Sequence, residues 1–242
     1  MIDTNTHDWI TLHRLRFPEP VSSIERVFPT VVGPDCWLFG PHYTVGPDGM
    51  ITGVSDIWGG VGIWHSRHAA EAMVTSPGDA MPWLNETVAA WHCLSIPFSH
   101  RGAVNWRGYL QKGDAVRVAP NDPGGPLIVL TSAGFETRDE ATLPRIKRFV
   151  AGVVDVLDDY GEQESNLRRG AFRAGFDGRD GFTLSLWQSD QGMQQAAYKP
   201  GAHRTRIDED KAGLLSDRTS FTRLRAIHSS GDWDGEVVWN SI

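Results

Sequence analysis

Residues Gly181–Gly201 read GFTLSLWQSDQGMQQAAYKPG, and residues Gly62–Gly78 in the first half of the chain read GIWHSRHAAEAMVTSPG. At an offset of 123 residues, four pairs of identical residues coincide: Trp64 with Trp187, Ser66 with Ser189, Pro77 with Pro200, and Gly78 with Gly201. In the later segment an apolar–polar alternation ends at tryptophan, serine starts a short helix, and proline breaks that helix because it lacks a backbone donor. The shared order predicts an internal duplication.

The rest of the second half has clear secondary-structure patterns. Pro144 suits the first turn of a helix, and apolar residues recur at helical spacing as far as a terminal Gly161: Ile146, Phe149, Val150, Val153, Val154 and Leu157. One strand is predicted before this helix, Leu127–Phe135, and two follow it, Asn166–Phe176 and Phe182–Trp187. Two shorter helices come next, one from Ser189 and one over Ala202–Leu215, and a final strand covers Ser220–His228. The order is β-α-β-β-α-β, the ferredoxin-like motif.

The first half follows the same order. Ser22 and Glu25 form a capping-box pattern that opens its first helix. The other predicted elements are strands Thr11–Phe17, Cys36–Val45, Gly60–Trp64 and Trp91–Phe98, and helical pieces Ala69–Met73 and Pro82–Ala89. We therefore expect an α+β protein in which two tandem ferredoxin-like repeats, residues 1–120 and 121–242, form a dimeric-α/β-barrel-type fold within one chain. The turn-rich segment Ala119–Pro126 joins the two repeats.

Composition limits the class of function. Acidic residues outnumber basic ones by 30 to 23, and the formal net charge of −7 disfavours nucleic-acid binding. Two cysteines cannot build a disulfide framework or a thiolate metal site, and ten tryptophans predict a large aromatic interior. Met1–Ile10 lacks the pattern of a signal peptide and no apolar stretch is long enough to span a bilayer. We expect a cytoplasmic protein, with peripheral membrane association left open.

Most motifs of known catalytic chemistry are absent from the sequence, including the P-loop, the zinc-protease helix and the nucleophile elbow. Gly59, Gly60 and Gly62 precede a strand, which is the wrong context for a dinucleotide loop. His65 and His68 have the spacing of two metal ligands on a helix, but no third ligand is near in sequence, so two polar residues at a helix start are favoured.

The remaining histidines are expected either to stabilise the fold or to contribute to a binding site. His92, His100 and His228 are expected to pack or form hydrogen bonds in strands, and His42 is a candidate pocket residue. His203 begins an amphipathic helix after the break at Pro200, and its counterpart at the offset of 123 is Ala80. A duplicated fold with one functional site would leave such an asymmetry. Nearby arginines are suited to neutralising cofactor carboxylates: Arg204, Arg206, Arg223 and Arg225. A solvated helix start with ordinary surface arginines is the alternative interpretation.

The second half resembles a known family. The segment SLWQS, the GAHR sequence at Gly201–Arg204, and the strand SFTRLRAI at Ser220–Ile227 are similar to the C-terminal half of the spheroidene monooxygenase family of carotenoid biosynthesis. The resemblance covers Pro126–Gly235 and is looser in the first half, which has its own tryptophans at 58, 64, 83 and 91. It implies a dimeric α/β-barrel-type fold and a non-covalent haem b with one helix histidine as iron ligand. Only His203 falls on the family's Gly-x-His-Arg position.

Together these features predict a haem-dependent monooxygenase, an oxidoreductase that acts on a hydrophobic small molecule such as a carotenoid-like compound or a secondary metabolite. His203 would bind the iron, and three arginines would hold the cofactor: Arg204, Arg206 and Arg223. Candidate catalytic or pocket-lining residues are His42, Trp64, Trp187 and Tyr198. Because no flavin or nicotinamide motif is present, electrons would come from an external donor.

Two alternatives stay open. The first is a haem-dependent, non-oxidative lyase of the aldoxime dehydratase type, in which ferrous iron acts as a Lewis acid on nitrogen. The second is a cofactor-free barrel monooxygenase or a ligand-binding protein, which must purify colourless. Self-association is also open, because an internal duplication already supplies the two halves that a homodimer would provide.

Overall fold

The computed structural model describes residues 7–22, 36–102, 116–174, 180–213 and 215–239. Eight strands occur in these ranges: β1 (Trp9–Val21), β2 (Cys36–Pro41), β3 (Ser55–Trp64), β4 (Ala89–Gly102), β5 (Leu127–Gly134), β6 (Asn166–Ala174), β7 (Asp180–Trp187) and β8 (Arg218–Gly231). The same ranges hold five α-helices and a 3-10 turn at Pro82–Glu86: α1 (Arg67–Thr75), α2 (Pro77–Ala80), α3 (Leu143–Gly161), α4 (Asp190–Tyr198) and α5 (Ala202–Lys211). In the described part of the chain, no helix has the length and apolar character needed to cross a membrane.

All eight strands pair antiparallel in one sheet of order β2-β3-β1-β4-β8-β5-β7-β6. Each half contributes four neighbouring strands in the order second, third, first, fourth, which is the strand order of a ferredoxin-like unit. Strands β4 and β8 join the two halves. The helix predicted from Ser22 lies outside the described residues, so the complete β-α-β-β-α-β order of the first half stays a prediction.

The edge strands β2 and β6 meet and nearly close the sheet into a barrel. The backbone N–H of Tyr43 donates to the carbonyl oxygen of Ala171 at 2.8 Å, and His42 forms an isolated bridge with Phe172. Gly40 is required at this closure, because a Cβ there would overlap the carbonyl oxygen of Arg173. Closure protects both edges from pairing with other chains.

The inner face of the sheet holds a hydrophobic core built from both halves. Its members include Ile10, Leu12, Val61, Ile63, Phe172, Phe182, Leu184, Leu186 and Leu224. At one end of this core, Trp91 and Trp233 lie 5.2 Å apart between ring centroids. The guanidinium of Arg14 lies 4.9 Å from the Trp233 ring and donates to Asp234 at 2.7 Å, so the segment after β8 is tied to β1.

The outer face of the first half is densely filled. Helix α1 buries Ala70, Met73 and Val74 against the sheet, in a cluster with several large aromatic residues: Trp9, Phe17, Phe39, Trp58 and Trp64. The glycines of β3 make room for these rings. A Cβ at Gly60 would overlap the Phe39 ring, and one at Gly62 would collide with Thr11 and Trp64. The glycine-rich sequence therefore serves aromatic packing within a strand.

Most predicted elements are present with altered ends. The helix expected after Pro144 is confirmed as α3, and Ser189 caps α4 by accepting from the Gly192 N–H at 3.1 Å. The predicted strand Cys36–Val45 is wrong beyond Pro41, because Val45 instead forms a bridge with Ile51.

Two predicted helices also end early. The piece Pro82–Ala89 is a 3-10 turn only as far as Glu86, since Ala89 already pairs with Arg16 in the sheet. Helix α5 stops at Lys211, before Leu215, because Gly213 adopts a left-handed φ of 70°.

Replacing Gly40 with alanine tests the barrel closure. We expect a loss of about 3 kcal/mol in the free energy of unfolding, because two backbones must separate to admit a methyl group. Gly78→Ala is the matched control, since a Cβ at Gly78 meets no atom within 4 Å. Chemical denaturation measures both variants, and equal effects would contradict a close contact at Gly40.

A second prediction concerns a buried imidazole pair. The Nδ1 atoms of His13 and His92 lie 2.7 Å apart across β1 and β4. Burial lowers the pKa of His92 to about 4, and burial together with His92 holds the pKa of His13 well below 6.5. Both rings stay neutral in the folded chain but bind protons near pH 6.5 when unfolded. The pair's contribution to stability is therefore complete above about pH 6.5 and lost as the pH falls below it.

The free energy of unfolding should fall between pH 7 and pH 5, with a limiting slope of about 1.4 kcal/mol per pH unit for each histidine. His92→Gln should reduce this slope, whereas His228→Gln, at an exposed position, should leave it unchanged. Denaturation series at several pH values provide the measurement. A slope that is identical in all three proteins would show that the pair does not titrate on unfolding.

Candidate functional site

The helix-facing side of the second half is packed differently from that of the first. It carries two separate hydrophobic clusters. One joins the C-terminal end of α3 to α4 and the sheet: Leu127, Tyr160, Trp187, Met193, Ala196 and Ala197. The other surrounds the N-terminal part of α3: Phe135, Ile146 and Val150. In the first half, by contrast, the described helix-facing residues form one continuous cluster.

Between these clusters lies a part of the sheet that we call the central surface. It consists of Ser99, Arg101, Val129, Thr131, Thr183, Phe221 and Arg223. These residues lie directly opposite one another or two residues apart on β4, β8, β5 and β7, so their side chains share one side of the sheet. All seven are partly or fully exposed.

The equivalent positions of the first half are buried. Trp64 pairs with Trp9 at the end of β3, and Trp187 pairs with Leu127 at the end of β7. Counted from these pairs, Val129 and Thr131 correspond to Thr11 and His13, both of which are fully buried. The second half therefore exposes a surface that the first half fills with its own side chains.

Helix α5 carries His203 next to Tyr160, a member of the cluster against which Val129 of the central surface packs. The helix has no buried residue and packs against α3 and α4. The Nδ1 atom of His203 lies 2.7 Å from the carbonyl oxygen of Ala197, and the imidazole lies 5.7 Å from the Tyr160 ring between centroids. Because a carbonyl oxygen can only accept, Nδ1 carries the hydrogen and Nε2 keeps the lone pair.

The surroundings of His203 keep it neutral. Burial lowers its pKa below the ordinary 6.5, the hydrogen bond to Ala197 opposes this shift, and the positive charge of Arg101 lowers the pKa further. A neutral ring whose Nδ1–H is held by a carbonyl has the tautomer and orientation of a metal-binding histidine.

The predicted cofactor arginines have different surroundings. Arg204 pairs with Asp208 at 3.3 Å, and Arg206 pairs with Glu209 at 2.7 Å while lying against Gly152 of α3. Both are thus engaged within or beside α5. Arg223 lies on the central surface, where no acidic side chain of the described residues forms an ion pair with it.

Arg225, also noted in the sequence, is committed to structure. It donates to both carboxylates of Asp122 and Asp190 at 2.6–2.9 Å and stacks 4.6 Å from the Phe98 ring. It therefore joins the segment between the two halves to the start of α4. Arg101, by contrast, was missed by sequence reasoning, because it lies in β4, about one hundred residues before His203.

The candidate catalytic residues do not gather at one point. Trp187 is fully buried, and its Nε1 donates to Ser185 at 2.9 Å. Trp64 is buried in the first half, where its Nε1 donates to Thr11 at 2.9 Å. Tyr198 is 51% exposed at the end of α4. These three therefore stay candidates without a shared geometry.

His42 and the His65–His68 pair lie elsewhere. His42 packs edge-on against Phe172, 5.6 Å between centroids, on the inner side of the sheet and so opposite to His203. His65 contacts Asp8 at 3.1 Å and Arg117 at 2.7 Å. Within the described ranges, no three His, Cys, Asp or Glu side chains are grouped to hold a metal ion. Haem needs only an axial ligand from the protein, because the porphyrin supplies the other nitrogens.

Comparison with known proteins identifies the fold. No protein-family model and no curated protein matches the chain. An aldoxime dehydratase superposes with a TM-score of 0.56 and 11% identity, over 93% of this chain and 83% of that one. A second aldoxime dehydratase, in complex with butyraldoxime, gives 0.51 and 14% over 93% and 81%. A candidate monooxygenase of Lactobacillus acidophilus covers 93% and 96% at 8% identity, with a TM-score of only 0.39.

At these identities the likeness concerns the fold alone. The resemblance of the second half to the spheroidene monooxygenase family therefore stays a prediction. The nearly closed antiparallel sheet of eight strands, with helices on its outer side, is an α+β architecture of the dimeric α/β-barrel type, shared with aldoxime dehydratases.

Proposed function

We propose that the chain is a haem-dependent monooxygenase that acts on a hydrophobic small molecule, with haem held between α5 and the central surface and His203 as the iron ligand. The observation that carries this proposal is the hydrogen bond from His203 Nδ1 to Ala197, which leaves Nε2 as a neutral lone-pair donor. The Tyr160 ring, 5.7 Å from His203 between centroids, belongs to the cluster against which Val129 of the central surface packs.

The residues present fit a haem group in several respects. Val129 and Phe221 of the central surface offer apolar contact, as do the partly buried Val153 and Val154 of α3. Arg223 is suited to a carboxylate, and the imidazole of His203 to iron. Bound haem would supply the activation of oxygen.

The chain itself contributes orientation, charge and exclusion of water. Ala197 and Tyr160 fix the direction of the His203 ring, while burial and Arg101 keep it unprotonated at neutral pH. Apolar side chains of the central surface would bind the hydrophobic part of a substrate, and the hydroxyls of Thr131 and Thr183 can orient its polar groups. We propose an external electron donor, because the sequence carries no flavin or nicotinamide motif.

A second candidate is non-oxidative dehydration, supported by the fold shared with two aldoxime dehydratases. Loss of water from an oxime requires a proton on the departing hydroxyl, and a good general acid has a pKa near the working pH. The polar groups on the central surface are serine and threonine hydroxyls and guanidiniums, all very weak acids. The central surface therefore supplies no good general acid for this step.

We also propose that residues 1–120 and 121–242 are related by an internal duplication. A ligand site in only one of the two halves is compatible with such a duplication. Trp64 and Trp187 both end the third strand of their half. Ser66 and Ser189 both cap the following helix through their hydroxyls. Under this proposal, the place of His203 is taken in the first half by Ala80, and the first half has lost or never acquired a ligand.

Replacing His203 with alanine tests the proposed ligand. The wild-type chain, purified without haem and then titrated with haem b, should develop a Soret band. His203→Ala should bind haem more weakly and shift the band, because the iron loses its axial nitrogen. Added imidazole should restore the wild-type spectrum. We expect the free energy of unfolding to change by less than about 1 kcal/mol, because His203 is not in a core cluster.

His228→Ala, at an exposed strand position, is the control and should behave as wild type. An unchanged spectrum in His203→Ala would remove the residue from the proposal, and a wild-type chain that binds no haem would support a cofactor-free function. Turnover of butyraldoxime under strict exclusion of oxygen would favour dehydration over oxygenation.

A further inference from the structure

Two arginines on the central surface come from different halves of the chain. Arg101 lies on β4 and Arg223 on β8, and the two strands pair with Ser99 opposite Arg223 and with Arg101 opposite Phe221. The guanidinium-bearing residues are therefore diagonal neighbours on the same side of the sheet. Pairing of the two halves is what brings them together.

This arrangement is unfavourable without an anion. Like charges on neighbouring sheet positions repel, and partial burial of Arg223 strengthens the repulsion. Arg101 is held by stacking 4.4 Å from the Phe221 ring. Among the described residues, neither guanidinium forms an ion pair with an acidic side chain, whereas Arg14, Arg145, Arg206, Arg218 and Arg225 all do.

The pair is connected to His203 by side-chain packing. Val129, directly opposite Arg223 on β5, packs against the cluster that contains Tyr160, and the Tyr160 ring lies 5.7 Å from the imidazole of His203 between centroids. A ligand that occupies this region would thus meet an imidazole, an apolar sheet surface and two positive charges. A flat apolar molecule with two carboxylates matches that combination.

We propose that Arg101 and Arg223 form a two-guanidinium site for the propionate carboxylates of haem bound at His203, so that the cofactor is held by both halves of the chain. This inference rests on the proposed function. It adds a residue of the first half, Arg101, to a site otherwise built from the second. The same carboxylate chemistry is available from a hydrophobic substrate acid, which the experiment distinguishes.

The experiment compares haem b with haem b dimethyl ester, in which both carboxylates are masked. Each is titrated into the full-length chain and into Arg101→Gln, Arg223→Gln and the double variant. We expect each single substitution to weaken haem binding by about 10-fold, the order of one charge-assisted hydrogen bond, and to leave ester binding unchanged. The Soret maximum should not move, because His203 is retained. Arg101→Lys and Arg223→Lys should keep most of the affinity, because the charge remains.

Arg67→Gln is the matched control, since Arg67 is an exposed arginine paired with Glu71 at 2.7 Å on α1 of the first half. It should bind haem and ester as the wild type does. Thermal denaturation of every apoprotein identifies any variant whose weaker binding reflects loss of fold, and the Lys variants then provide the comparison.

Several results would overturn the inference. Equal weakening of haem and ester would show that the arginines act through the fold, and unchanged affinity for both would show that they do not hold the cofactor. Unchanged haem affinity together with arginine-dependent binding of laurate would assign the pair to a substrate carboxylate instead. If the wild-type chain gives no His203-dependent Soret band, the proposed function fails and this inference fails with it; a normal band with unaffected arginine variants refutes the inference alone.

Discussion

The pairing of β4 with β8 is the interaction on which the remaining structure depends. These two strands, each of 14 residues, convert two four-stranded units into a single sheet, which β2 and β6 then nearly close. The pairing shifts register at two places, between Leu94 and Ser95 and between Pro97 and Ser99. Such irregularities change the side of the sheet to which later residues point. Arg101 and Arg223 reach the same surface only because of this register.

The two halves use their outer faces differently, although their strand order is the same. In the first half, aromatic rings pack against the glycines of β3, and the side chains of His13 and His92 are buried. In the second half, Thr131 and Thr183 stand at the positions of His13 and Gly60 and remain partly exposed. Dense packing stabilises a sheet, whereas a site for a large ligand must stay open. The first half therefore fills its outer face with its own side chains, and the second leaves part of its outer face exposed.

The properties of His203 follow from the short chain segment around it. Pro200 and Gly201 interrupt the helical path, and α5 begins again at Ala202 in a new direction. That change lets the imidazole reach back to the carbonyl of Ala197 near the end of α4. A single local break thus sets both the position of the ring and the nitrogen that keeps its lone pair.

Much of the fold and part of the site could be predicted from the sequence alone. Helix α3, the Ser189 cap and the break before His203 depend on neighbouring residues, and their patterns are therefore visible in a linear chain. The correspondence of Trp64 with Trp187 is also visible in the sequence, because each tryptophan is followed two residues later by a serine.

Only the tertiary structure decided which distant residues share a surface. Arg225 has the spacing of a cofactor residue but is bound by Asp122 and Asp190, while Arg101, far away in sequence, lies diagonally across the sheet from Arg223. His42, a candidate pocket residue, follows β2 and packs against Phe172 on the inner side of the barrel closure, a position that depends on the contact between the two halves. Strand register and side-chain pairing across the sheet depend on the summed packing of both halves, and no local pattern in the sequence encodes that sum.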